Sequence, residues 1–168
     1  MKNLKSVEHI WSLVCKNSSI DNETNNITLF NLIERITMNA PKQEIDKIKN
    51  GEAKGILLGM DFEVVSRFKK LDKSKTTAFD FRLRFLAPSG KLLPVQAEQK
   101  IAFTEGIQNM RVRNRFSTMP IIEAGEYTIS VEAKDVGESD YQEVAKVPLE
   151  IMINSQENKA EIRKVVAK

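Results

Sequence analysis

The sequence predicts an all-β protein, and three observations carry that prediction. Apolar residues recur at every second position through most of the chain, which is the period of a half-buried strand. Turn-forming residues separate these stretches, as they do where strands are joined by short connections. The composition is that of a folded domain: 41% hydrophobic and 29% charged over 168 residues, enough for one domain with a real core.

Each element follows from its own pattern. His9 to Cys15 is the first strand candidate. It runs into KNSSIDNETNNIT, residues 16–28, which holds Asn-x-Ser/Thr triplets at Asn17, Asn22 and Asn26. Glycosylation would require export, and a secretory leader needs about 7–15 apolar residues and a small-residue cleavage site. Ile10–Cys15 is a shorter run, and no Ala-x-Ala follows it. A calcium loop of the EF-hand type would need Gly and Glu where Asn26 and Leu32 stand. The stretch therefore reads as a polar loop between two strands, its side chains bonding to local backbone.

Ile27 to Thr37 is the second candidate. Leu29, Phe30, Leu32, Ile33 and Ile36 also fit a helix face with Thr28 as its N-cap, so residues 28–38 are open to both readings. The β-branched and aromatic content decides for a strand. Lys42 to Lys54 reads as a charged connector. Gly55 to Phe68 alternates through Leu58, Met60, Phe62 and Val64 as one strand. Phe79–Phe85 is the clearest case, with every odd residue apolar and every even one charged, and Pro88-Ser89-Gly90 turns the chain after it. Ala97–Phe103 follows, with Gln99 facing inward, then Met110–Phe116, Tyr127–Ala133 and Val147–Ile153. Val136 to Asp140 joins the last two.

About eight strands at this spacing imply a sandwich or barrel. Glu123-Ala124-Gly125-Glu126-Tyr127 precedes the penultimate strand in the manner of a tyrosine corner, whose hydroxyl bonds back to upstream backbone. That detail favours an immunoglobulin-like antiparallel β-sandwich, without the paired Cys and core Trp of antibody domains. The domain is expected to span residues 1–153. Residues 154–168 then form a charged C-terminal tail, flexible or a short helix, with Ile162, Val165 and Val166 at helical spacing.

The opening of the chain, Leu13, Cys15, Asp21, Thr24 and Thr28-Leu29-Phe30-Asn31, resembles that of a family of small uncharacterised prokaryotic proteins. Ala87-Pro88-Ser89-Gly90 and Gly125-Glu126-Tyr127 are similar to that family's later pattern. The resemblance implies a β-sandwich in the bacterial cytoplasm. It brings no activity and no catalytic residue.

Function is bounded mainly by what the residues cannot build. A net charge of +3, from 26 basic and 23 acidic residues, is too even for a dedicated nucleic-acid binder. No run reaches the roughly 18 apolar residues of a membrane span. One Cys and one His offer no ligand-spaced pair for zinc. Phosphate loops, dinucleotide fingerprints and nucleophile elbows do not occur. Cys15 lies in an apolar run and reads as a buried thiol in a reducing cytosol. As a nucleophile it would need His9, six residues away and so on the same face of a regular strand. The expectation is therefore a protein without catalytic residues, cofactor or metal.

One feature has a functional shape. Arg111, Arg113 and Arg115 alternate on one strand, so they share a face at ~6.8 Å steps. If Arg82 and Arg84 lay on the same sheet, the five would form a basic plate for phosphates of nucleic acid or anionic lipid. The ordinary reading, which we favour, is a solvated face with cross-strand pairs to Asp80, Glu126 or Glu132. The sequence thus points to a cytoplasmic binding or adaptor module acting through contacts with another protein or by self-association. An anion-binding module using the Arg face is the alternative.

Overall fold

The computed structural model describes residues 4–74 and 76–156. In chain order its elements are β1 (Val7–Ile20), β2 (Ile27–Leu32), β3 (Arg35–Pro41), α1 (Lys42–Lys49), β4 (Ile56–Leu58), β5 (Phe62–Lys70) and β6 (Thr77–Leu86). Then follow β7 (Leu92–Phe103), β8 (Asn109–Phe116), β9 (Met119–Ile121), β10 (Gly125–Asp135) and β11 (Gln142–Gln156). The first sheet has the order β2-β1-β5-β8 and the second β3-β11-β10-β6-β7, while β4 and β9 form a separate short ladder. Every ladder is antiparallel except the pairing of β3 with β11.

The alternation of β6 shows why the two sheets meet. Phe79, Phe81, Leu83 and Phe85 are fully buried, and the charged residues between them face outward. The rings of the first sheet pack onto that row. Phe68 meets Phe79 and Phe81 with centroids 4.7 and 5.7 Å apart, and Phe116 meets Phe85 at 4.9 Å. Seven of the eight Phe residues are buried this way; Phe30, 47% exposed, stands outside the core. Burying such a ring stabilises by about 1.5–3 kcal/mol, so these rows dominate the attraction between the layers.

The all-β expectation holds, with more strands than the pattern suggested because two expected strands are divided and the short β9 adds one that was not expected. Residues 27–37 are strand rather than helix, but they serve both sheets. Asn31 takes a left-handed φ of 51°, Ile33 N–H donates to the Val14 carbonyl, and Glu150 N–H donates to the Glu34 carbonyl. The chain leaves the first sheet and enters the second within a few residues. The single strand expected over 55–68 is broken at Gly59–Asp61, and its first part pairs with β9 instead.

The expected connector over residues 42–54 contains α1. This helix buries no residue completely, so local chemistry carries it. Glu44 sits in the first turn and Lys47 and Lys49 in the last, each matching the helix dipole. Asn50 N–H bonds to the Asp46 carbonyl, and Gly51, at φ 76°, closes the end. At the C-terminus β11 continues to Gln156, past the expected boundary at 153. The tail segment with helical spacing lies outside the described residues.

The corner before β10 is built as its sequence suggests. Tyr127 is fully buried. Its hydroxyl accepts the N–H groups of Ile122 and Glu123 at 3.1 and 3.2 Å and donates to the Glu123 carbonyl at 2.8 Å. Gly125 is required two residues earlier: its φ is 132°, and a Cβ there would lie 3.0 Å from Pro88 Cγ.

Candidate binding face

Register places the side chains of the first sheet's outer surface. On β8, Val112 and Phe116 are buried, so Arg111, Arg113 and Arg115 face outward together. On β5, Val64 and Phe68 belong to the core, so Glu63, Val65 and Arg67 face outward. Three rows result: Trp11, Arg67 and Arg111; Leu13, Val65 and Arg113; Cys15, Glu63 and Arg115. Arg67 was not legible as a member of this group. It lies far from β8 in sequence and alternates among apolar residues, and only strand pairing brings it beside Arg111.

The condition for a five-residue plate is not met. Arg82 and Arg84 stand on β6 in the second sheet, on the other outer surface of the molecule. Both are engaged by Glu132 of β10. Arg82 binds one carboxylate oxygen through Nε at 2.8 Å and through Nη2, and Arg84 Nε binds the other at 2.7 Å. The Arg82 guanidinium also lies 3.9 Å from the Tyr141 ring centroid. Burial pushes the Glu132 carboxyl up, but the hydrogen bonds from Arg82 and Arg84 outweigh it and hold it below the usual carboxylate range. The expected pairing with Glu132 is thus present here, though on a carboxylate that is itself buried rather than solvated.

The first sheet is different. Arg115 is paired with Asp61 at 2.6 Å, and that bond holds the Asp61 carboxyl below its usual range. Arg67, Arg111 and Arg113 have no carboxylate partner among the described residues. Arg67 donates to Asn109 Oδ1 at 3.2 Å, Arg111 to Asn25 Oδ1 at 2.5 Å, and Arg113 to the carbonyl and hydroxyl of Ser18 at 3.4 Å. All three are held only by neutral oxygens.

Those contacts also reveal the path of the β1–β2 hairpin. Cys15 is opposite Glu63, so a straight continuation of β1 would run beyond the start of β5. Instead Ser18 donates to Glu63 and meets Arg113, and Asn25 reaches Arg111. The hairpin therefore doubles back across the outer surface of β5 and β8. This explains why Cys15 and Val65 are fully buried although they point away from the core between the sheets. At the hairpin tip, Asp21 Oδ1 accepts the N–H groups of Glu23 and Thr24 and the Thr24 hydroxyl, and the first of the Thr24 bonds is the main cause of its lowered pKa. Of the Asn-rich stretch 16–28, expected to be a loop, residues 16–20 extend β1 and residues 27 and 28 begin β2; only residues 21–26 form the polar turn, and it sits over the Arg row.

Beside the guanidiniums lies an apolar margin. Leu13 is 38% exposed and Leu32, opposite Cys15, is 57% exposed, with Phe30 two positions further along β2. A separate polar cluster lies on the inner side of β1. His9 Nε2 is 2.8 Å from Ser12 Oγ, which is 2.7 Å from Ser66 Oγ. Burial lowers the His9 pKa, and the ring packs edge-on against Phe68 at 5.3 Å. His9 and Cys15 do not share a face. The register slips between His9 and Trp11, so the extra residue Ile10 turns His9 inward beside Phe68 while Cys15 stays outward beside Glu63. Burial, then the Glu63 charge, raises the Cys15 thiol pKa, which disfavours the thiolate a nucleophile needs.

Comparison with models of known protein families and with curated proteins finds no match to this chain. None of the described helices is long and apolar enough to cross a membrane.

Proposed function

We propose that the chain is a non-catalytic binding module, built as an immunoglobulin-like sandwich, that engages an acidic surface of another protein through the outer face of its first sheet. The observation that carries this reading is the set Arg67, Arg111 and Arg113, three guanidiniums on one face with no carboxylate partner among the described residues. Folding alone does not ask for this: Arg35, Arg82, Arg84 and Arg115 all have carboxylates. Arg beside exposed Phe and Leu is also the chemistry enriched at protein interfaces, where Lys and Glu are depleted. The tyrosine corner supports the immunoglobulin-like assignment. The single buried Cys15 supports a reducing, cytoplasmic setting, and so does the resemblance to small prokaryotic proteins.

A second reading, in which the same face binds nucleic acid or anionic lipid, draws on the same three guanidiniums. It is weakened by the loss of Arg82 and Arg84 to the opposite surface and of Arg115 to Asp61.

The test compares the wild-type chain with R67Q/R111Q/R113Q, first checked for unchanged folding. Immobilised on beads in nuclease-treated lysate, the wild type is expected to retain a defined protein set that the triple variant loses. Equal capture by both would overturn the assignment of the face. Light scattering with absorbance at two wavelengths separates the second reading: a nucleic-acid-rich peak that collapses in salt would favour it.

A further inference from the structure

We propose that the cleft between the hairpin tip and the turn joining β7 to β8 is a carboxylate site anchored by Arg111. The proposal rests on the reading of the first sheet's outer face as the binding face, and it names the chemistry that face takes at one end. The cleft has a volume of about 530 Å³. Ile20 and Asn25 of the hairpin form one wall, and Ile107, Asn109, Met110 and Arg111 form the other.

The present partner of Arg111 marks the position of the ligand. Arg111 Nη2 donates to the side-chain carbonyl of Asn25 at 2.5 Å. Asn25 is held in the turn by a left-handed φ of 53°. Its amide oxygen is neutral, and a hydrogen bond to an ionised oxygen is about twice as strong. A carboxylate entering the cleft therefore displaces Asn25 and engages the guanidinium fork through two oxygens. A second cation stands behind the first, because Arg67 Nη2 is bonded to Asn109 Oδ1 at 3.2 Å.

Charge and shape narrow the ligand further. Among the described residues one guanidinium lines the cleft, which suits a singly charged carboxylate. A phosphate near its second ionisation would ask for more positive charge than the wall supplies. Ile20 and Ile107, the latter 42% exposed, flank the anchor with apolar surface. The ligand is thus a carboxylate on an aliphatic body. It is either the free C-terminus of a peptide ending in an aliphatic residue or a small branched-chain acid.

The experiment is an NMR titration of the full chain, following the Arg111 side-chain Nε–H and the backbone amides of 106–111. Three probes are used: 4-methylpentanoate, a short peptide ending in leucine with a free carboxyl group, and the same peptide amidated. The expected result is saturable shifts with one or both carboxylates and none with the amide. R111Q is expected to weaken that binding ~10-fold or more, the loss of one charge-assisted pair. N25G keeps a left-handed turn while removing the competing oxygen, and is expected to tighten it. Binding of the peptide acid alone identifies a protein C-terminus as the source, and equal binding of 4-methylpentanoate identifies a small acid. Shifts that ignore amidation, an R111Q variant that binds as the wild type does, or the absence of saturable shifts with either acid would overturn the proposal. Should that happen while R67Q/R111Q/R113Q still loses partner capture, the binding face stands and only the carboxylate cleft falls.

Discussion

Tyr127 closes its corner by satisfying three backbone groups with one hydroxyl. Tyr127→Phe keeps the ring and removes those bonds, leaving two N–H groups and a carbonyl half-buried without that partner. Unsatisfied groups of this kind cost about 1–3 kcal/mol, and a urea denaturation midpoint should show a loss in that range. A change below ~0.5 kcal/mol would mean that the corner is held by its backbone alone. Gly125→Ala tests the same corner from the other side. Its φ of 132° is foreign to a side chain, and the new Cβ would press on Pro88 at 3.0 Å. The expected cost is again ~1–3 kcal/mol, from strain rather than from lost bonds. Combining the two should give less than the sum, because both loosen one turn.

At the scale of elements, α1 shows how stability can stay local. It has charges that match its dipole but no fully buried residue. Lys47→Pro should melt it, because proline removes a donor and clashes within a helix at a cost of ~3 kcal/mol. The global unfolding midpoint should nevertheless move by no more than ~0.5 kcal/mol, while hydrogen exchange at 45–51 loses its protection. A large drop in the midpoint would show that the helix is needed to hold β3 in the second sheet. The same element marks where the sequence was legible and where it was not. Period-two alternation identified β6 and β8 and the outward side of each. A short polar helix without an apolar stripe carries no such period, so α1 read as a connector. Breaks within a pattern were equally hidden. Alternation runs through Gly59–Asp61, and nothing in it says that β4 pairs with β9. The extra residue Ile10 reverses faces in β1, so counting from His9 to Cys15 gave the wrong answer. The Arg row was visible along β8, but Arg67 joins it, and Arg82 and Arg84 leave it, only through pairing between distant strands.

Over the whole molecule, the titratable groups with shifted pKa values define a stability plateau with distinct edges. His9 has a folded pKa below its ordinary value of 6.5. The unfolded state therefore takes up the proton first, and stability falls as pH drops through about 6.5 and below. Glu132 is also depressed, so its contribution is present above its ordinary value of 4.5 and is lost as pH falls further through the folded pKa. The exposed carboxylates Asp21 and Asp61 share that direction, but salt screens them. On the alkaline side the signs reverse. Tyr141 is pushed up to about 12, by burial first and then by its hydrogen bond to Glu98, and Tyr127 is raised as well, mainly by burial. Their protonated forms favour the fold, so that stability is complete below about 10 and is lost as pH rises toward 12. Urea melts across this range should give a broad maximum with two acid steps, the first set by His9 and the second by Glu132. His9→Gln, which cannot take up a proton, should abolish the step near 6.5 and leave the lower one in place. Glu132→Gln should remove much of the lower step at the cost of two unpaired guanidiniums. If the upper step survives His9→Gln, it cannot be assigned to the only histidine in the chain, and a carboxylate with a raised pKa must be sought in its place.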